Sequence, residues 1–195
     1  MKTIIKKYLV AIIMLVTSIN YANEKATSIN TIDGKKVRVE FKAVKKGHTL
    51  SIKNEDGTLI YSKELKNSGN FSQIFDLSKL EEGNYTTELE KDYEITVKYF
   101  AVLDNKISFN KEETIFKPVI RAENNLVLIS KITFNKEPLK VSLYYKDELI
   151  LSETITRTAS ETILNKVYRV SKEKKGDYKV IVSSNDRSYL KNFSL

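Results

Sequence analysis

From residue 37 onward, apolar and polar side chains alternate. In Val37-Arg38-Val39-Glu40-Phe41-Lys42-Ala43 the spacing sends Val37, Val39, Phe41 and Ala43 to one face, which is the period of a half-buried β-strand. The same alternation recurs at Leu50/Ile52, Leu59/Tyr61/Leu65, Phe71/Phe75/Leu77 and Tyr85/Thr87/Leu89, with polar turn clusters such as Asn54-Glu55-Asp56-Gly57 between the runs. No segment carries a long apolar stripe at helical spacing. The one stretch that leaves room for a helical turn is Lys111 to Lys117.

The pattern is written twice. Residues 74–102 and 167–195 align without a gap, with six identities: Ser78/Ser171, Lys79/Lys172, Gly83/Gly176, Tyr85/Tyr178, Lys98/Lys191 and Phe100/Phe193. Hydrophobic character is kept at Leu77/Val170, Leu89/Val182, Val97/Leu190 and Val102/Leu195. Upstream, Leu50-Ser51-Ile52 answers Val141-Ser142-Leu143, and Leu59-Ile60-Tyr61-Ser62 answers Leu149-Ile150-Leu151-Ser152 after a one-residue slip in a hairpin turn, where length changes cost little. Each copy has about 80 residues, room for about seven short strands. The expected fold is all-β: two tandem immunoglobulin-like (Greek-key) β-sandwich modules after an N-terminal signal peptide. The expected boundaries are 1–22 for the signal peptide, 23–103 for module one, 104–115 for a short, charged, semi-ordered connector, and 116–195 for module two. Pro118 suits the start of an edge strand.

The most informative local motif is Asp76-Leu77-Ser78-Lys79-Leu80-Glu81-Glu82-Gly83-Asn84-Tyr85, echoed by Arg169-Val170-Ser171-Lys172-Glu173-Lys174-Lys175-Gly176-Asp177-Tyr178. It reads as a corner between sheets. Gly83 and Gly176 supply the positive φ that the turn requires, and Tyr85 and Tyr178 open the next strand with a buried ring whose hydroxyl bonds backbone within the corner. These four residues form the predicted structural site. Further on, Val97 and Phe100, like Leu190 and Phe193, cannot face the same side of an unbroken strand, which predicts a bulge at Lys98-Tyr99 and at Lys191-Asn192.

The run from Leu50 through Asp56-Gly57 and Leu59-Ile60-Tyr61 to the corner at Gly83-Asn84-Tyr85 resembles the tandem β-sandwich modules of secreted Bacteroidetes and Flavobacteria proteins. More distantly it is similar to the C-terminal sorting domains of type IX secretion cargo. Module two departs from that pattern, with Lys146-Asp147-Glu148 at the hairpin and Glu173 in place of Leu80. The resemblance implies a fold rather than a catalytic residue.

The start of the chain supports export. Lys2, Lys6 and Lys7 precede the apolar run Leu9 to Val16, which is too short to span a bilayer, and Ala22 offers a cleavage point. No membrane span is expected after cleavage. The absence of cysteine excludes a disulfide framework, a thiolate metal site and a cysteine nucleophile. The formal net charge of +8 falls to +5 once the three leader lysines are discounted. Lys and Glu alternate along most strands, which reads as solvated outer faces rather than a nucleic-acid surface.

Catalytic signals are sparse. His48, the only histidine, lies in Lys45-Lys46-Gly47-His48-Thr49 and reads as a surface turn residue, so neither a multi-histidine metal site nor a second triad base is available. The carboxylates Glu55, Asp56, Glu81, Glu82, Glu88 and Glu90 are accounted for by turns and outer faces. Asn54 to Gly57 is better explained as a hairpin than as a calcium loop, and Lys172 to Lys175 as a solvated corner. The sequons at Asn70, Asn84 and Asn192 are those expected by chance in an Asn-rich chain. No catalytic, cofactor-binding or metal-binding residue is assigned, and no cofactor is expected. The expectation is a non-catalytic exported binding or structural protein of the periplasm or cell surface, with a protein or glycan partner outside the cytoplasm. The alternative is a secretion-sorting role in which module two is recognised by a type IX-like export machine.

Overall fold

The structure, a computed structural model, describes residues 27–33, 36–104, 106–134, 137–156 and 162–195. The expected signal peptide and its cleavage point lie outside the described residues. The described chain is all-β, with no helix long and apolar enough to cross a membrane.

Module one contains β1 (Thr27–Asp33), β2 (Lys36–Val44), β3 (Thr49–Asn54), β4 (Leu59–Glu64), β5 (Gly69–Asp76), β6 (Gly83–Glu90), β7 (Glu94–Leu103) and β8 (Lys106–Phe116). Module two contains β9 (Val119–Glu123), β10 (Leu126–Ile132), β11 (Leu139–Tyr145), β12 (Glu148–Ile155), β13 (Ile163–Arg169), β14 (Asp177–Ser184) and β15 (Arg187–Ser194). In module one a sheet of order β1-β2-β5 faces a sheet of order β4-β3-β6-β7-β8; in module two β9-β10-β13 faces β12-β11-β14-β15. The crossings from β2 to β3, β4 to β5 and β5 to β6 recur from β10 to β11, β12 to β13 and β13 to β14, the connectivity of an immunoglobulin-like sandwich.

Alternation along the strands produces two separate cores. Val37, Val39, Phe41 and Phe75 of one sheet meet Leu50, Ile52, Tyr85, Leu89, Phe100 and Val102 of the other. In module two Val127, Ile129, Leu164 and Tyr168 meet Val141, Leu143, Tyr178, Val180 and Val182. Burial of each large side chain stabilises by about 1.5–3 kcal/mol, and with no cysteine in the chain packing of this kind is the main source of stability.

Two expectations require correction. The stretch expected as a semi-ordered connector, with room for a helical turn at Lys111 to Lys117, is for the most part strand β8, hydrogen-bonded to β7 as the fifth strand of its sheet. Its charged residues hide a strand pattern because they find cross-strand partners: Lys98 Nζ lies 2.8 Å from Glu112, and Tyr99 Oη donates to Glu113 at 2.6 Å. The bulge foreseen in β7 and β15 is absent from both. β6–β7 and β14–β15 pair in continuous register. The extra residue is Asn110, one strand over, between the pairs Tyr99↔Lys111 and Phe100↔Phe109. Ile107 and Phe109 therefore face the core, while Glu113 and Ile115 beyond the bulge turn to the outer side.

β7 needs no bulge of its own because both of its faces are buried. Val97 and Phe100 do point to opposite sides, and both are buried: Phe100 belongs to the core of module one, whereas Ile95 and Val97 belong to neither core and lie on the outer face. In module two the corresponding Leu190 is exposed. Two further bulges match between the modules. Ile60 is the extra residue between Ile52↔Tyr61 and Lys53↔Leu59, and Ile150 between Leu143↔Leu151 and Tyr144↔Leu149, each on the free edge strand of its sheet.

Candidate functional site

The two corners have the same geometry. Gly83 and Gly176 adopt φ of 154° and 137°, values that L side chains rarely reach. Tyr85 Oη donates to the Glu81 carbonyl at 2.8 Å, and Tyr178 Oη donates to the Lys174 carbonyl at 2.7 Å. Each ring stacks on the cross-strand phenylalanine, Tyr85 on Phe100 at 5.3 Å and Tyr178 on Phe193 at 5.2 Å. Burial pushes both phenols above their usual value. The strand before each corner ends on a different cap: Ser78 N–H donates to the Asp76 carboxylate in module one, whereas Glu173 N–H donates to Ser171 Oγ in module two. Both tyrosines are buried, so neither ring offers a ligand a stacking face.

The groups that sequence reasoning did not single out lie where the modules meet. Glu88 is on the outer face of β6, directly across from Val97 of β7. Its side chain is 9% exposed. Arg187, at the start of β15, donates to it from both terminal nitrogens at 2.6 and 3.3 Å, and Lys53 of β3 donates at 2.8 Å. Burial alone would raise the Glu88 carboxyl, but the hydrogen bonds from Arg187 and Lys53 outweigh it and hold the group below its ordinary value. Beside it, Tyr99 Oη donates to Glu113, whose other oxygen accepts from Lys111 at 2.6 Å. Burial, and then the Glu113 carboxylate, push the Tyr99 phenol up to about 12.

A cleft of about 340 Å³ opens at the same junction, walled by Glu113 to Phe116 of β8 on one side and by Lys131 to Phe134, Glu137 and Asn185 of module two on the other. Register identifies what is unusual there. Lys131↔Leu164 in module two corresponds to Phe41↔Phe71 in module one, so Lys131 occupies a core position held by an aromatic ring in the first copy. It is 8% exposed, and its ammonium donates to Ser184 Oγ at 2.6 Å. Burial lowers its pKa, opposed in part by Glu137. The sequence carried a signal: the alternation Val127, Ile129, Lys131 already turns the lysine inward.

His48 is a further correction. It does sit in a turn, but it is 5% exposed rather than on the surface. Nδ1 accepts the Lys45 N–H at 3.2 Å, and Nε2 is buried without a hydrogen bond, 3.7 Å from Asp92. Desolvation lowers its pKa, with the Asp92 carboxylate opposing. Asn54 to Gly57 is a hairpin turn in which Gly57 N–H donates to the Asn54 carbonyl and Thr58 N–H to its side chain. Among the described residues no three His, Asp or Glu side chains converge as metal ligands. The Lys172 to Lys175 cluster lends carbonyls to the corner: that of Lys174 to Tyr178, and that of Lys175 to Tyr145 Oη at 3.0 Å. Asn70, Asn84 and Asn192 lie within β5, β6 and β15.

Residues 34–103 match the sequence profile of a family described as the secretion system C-terminal sorting domain. The match ends with β7 and falls on module one, whereas the alternative read from the sequence placed the sorting role in module two. Comparison with curated proteins finds no match. Solved structures similar to the chain at low identity include the following. A tetra-tandem repeat from the extending region of a large adhesion protein is 15% identical, with a TM-score of 0.30 and 87% of this chain covered. This chain spans 48% of that one. The ligand-binding domain of human OSCAR is 8% identical, with a TM-score of 0.25, covering 87% of this chain and 96% of its own. A structure of neurohormone perception by the receptor tyrosine kinase Torso is 9% identical, with a TM-score of 0.24, covering 89% of this chain and 73% of its own.

Proposed function

We propose that the chain is an exported, non-catalytic protein of the periplasm or cell surface, with module one of the sorting-domain type and module two a diverged copy that serves binding. The observation that carries this reading is the match of residues 34–103 to a secretion sorting family, over the stretch that builds β2 to β7 of the first sandwich. The repeated corner supports a common origin for the second. Non-catalytic action accords with how the carboxylates are used: Glu88, Glu113 and Glu153 each accept from a lysine or arginine and a further partner, which leaves them structural.

Fractionation of a type IX-secreting bacterium that makes the full chain, with an epitope inserted at Asp56-Gly57, tests the proposal. The chain is expected at the surface or in the medium when the export machine is active, and in the periplasm when it is not. Retention in the cytoplasm overturns export, and a distribution indifferent to the machine overturns sorting. Turnover of a glycan or peptide panel that a single substitution abolishes overturns the non-catalytic reading.

A further inference from the structure

The cleft between β8 and module two holds two opposite charges that do not pair with each other. A lysine at a core position is costly unless its protons are satisfied. Lys131 has one partner among the described residues, Ser184 Oγ, for three ammonium protons. Glu137 Oε2 is buried and accepts nothing. The two are near enough for Glu137 to act on the lysine electrostatically, yet they form no ion pair within 4.0 Å. Both line the cleft. The gap therefore suits an occupant that can accept from the ammonium and donate to the carboxylate.

The rim supplies the other half of the chemistry. Phe134 is 72% exposed, more than any other large apolar side chain among the described residues, and stands edge-on to Phe116 at 5.9 Å. Packing within module two does not explain it, since Phe134 is absent from that core. An open aromatic face over a few convergent buried polar groups, in a cleft of about 340 Å³, is the general form of a small-ligand site. A pyranose ring matches it in both respects. Its C–H face packs on an aromatic ring, and neighbouring hydroxyls accept and donate at once. A purely anionic ligand would meet Glu137 and Glu113, and a purely cationic one would meet Lys131.

We propose that this cleft is a saccharide-binding site, in which the Lys131 ammonium and Glu137 Oε2 take neighbouring hydroxyls of one pyranose ring and Phe134 covers its apolar face. The inference rests on the non-catalytic binding role proposed above and names its ligand class. The comparison between modules explains why the lysine is there: where module one completes its core with Phe41, module two gives up that packing for a polar contact facing the junction.

The test uses the mature full-length chain, labelled for amide NMR, titrated with the methyl glycosides of glucose, galactose and mannose, each followed for turnover. Expected is a saturable response to at least one probe, confined to Glu113 to Phe116, Lys131 to Phe134, Glu137 and Asn185, with millimolar affinity and no product. Glu137→Gln and Phe134→Ala should each weaken it by about tenfold. Lys131→Phe, which restores the module-one residue, should abolish it while leaving thermal stability equal or higher. No response to any probe, or one that these variants do not change, overturns the site, as does Lys131→Phe unfolding the chain while Lys131→Met folds and still binds. Binding accompanied by product keeps the site and overturns the non-catalytic role.

Discussion

Arg187→Ala should loosen the seating of module two on module one. Glu88 receives three contacts, two from Arg187 at 2.6 and 3.3 Å and one from Lys53 at 2.8 Å. The substitution removes two of them and leaves a carboxylate only 9% exposed with a single ammonium. Charge-assisted hydrogen bonds contribute about 1.5–3 kcal/mol, and breaking a fully buried pair costs about 3–5 kcal/mol. Arg187 and Lys53 are 26% and 28% exposed, so solvent screens part of the interaction. One cation also remains, and a loss of about 2 kcal/mol is expected. The effect has a pH signature. The Glu88 carboxyl is held below 4.5 in the folded chain, so its contribution is present above that pH and is lost as pH falls through the folded value. The deficit of Arg187→Ala should shrink accordingly in acid. Guanidinium unfolding of the mature chain, with a double-mutant cycle on Glu88→Gln and Arg187→Met, reads the coupling. A cycle in which the two changes simply add, or an Arg187→Ala loss below about 0.5 kcal/mol, would refute the reasoning.

Three further outcomes follow from the corners and the buried histidine. Tyr85→Phe and Tyr178→Phe should each destabilise by about 1 kcal/mol in denaturant melts. Gly83→Ala and Gly176→Ala should each destabilise by about 1–3 kcal/mol, because both positions hold φ values, 154° and 137°, that L side chains rarely adopt; no loss at either would count against the geometry. His48 is held below 6.5 when folded, so the unfolded chain takes up a proton first and stability should decline as pH drops below about 6.5, by up to about 1.4 kcal/mol per pH unit. Melts of His48→Gln should lack that decline.

The sandwiches and their duplication were readable because the information is local. Val37/Val39/Phe41 and Tyr85/Thr87/Leu89 announce their faces by period two, and glycine followed by tyrosine marks each corner at the same spacing. What escaped is non-local. Glu88 alternates outward like any solvated residue, and only the arrival of Arg187, 99 positions later in the chain, makes it buried. β8 was missed because its glutamates are matched by Lys98 and Tyr99 on the neighbouring strand and by Lys111 on β8 itself, and a charged run shows this only once paired. His48 is buried because Asp92 and the β6–β7 turn close over it. Lys131 is the instructive case, since the alternation Val127, Ile129, Lys131 turns it inward although lysine is seldom a core residue.

The twin irregularities at Ile60 and Ile150 bear on how such a chain behaves when crowded. A smooth outermost strand is a template on which another copy can stack, and gene duplication doubles the templates. Here the outermost strand on that side of each larger sheet carries an unpaired isoleucine that breaks the ladder's rhythm and twists it away from flat. Each copy of the module therefore carries its own interruption along this edge.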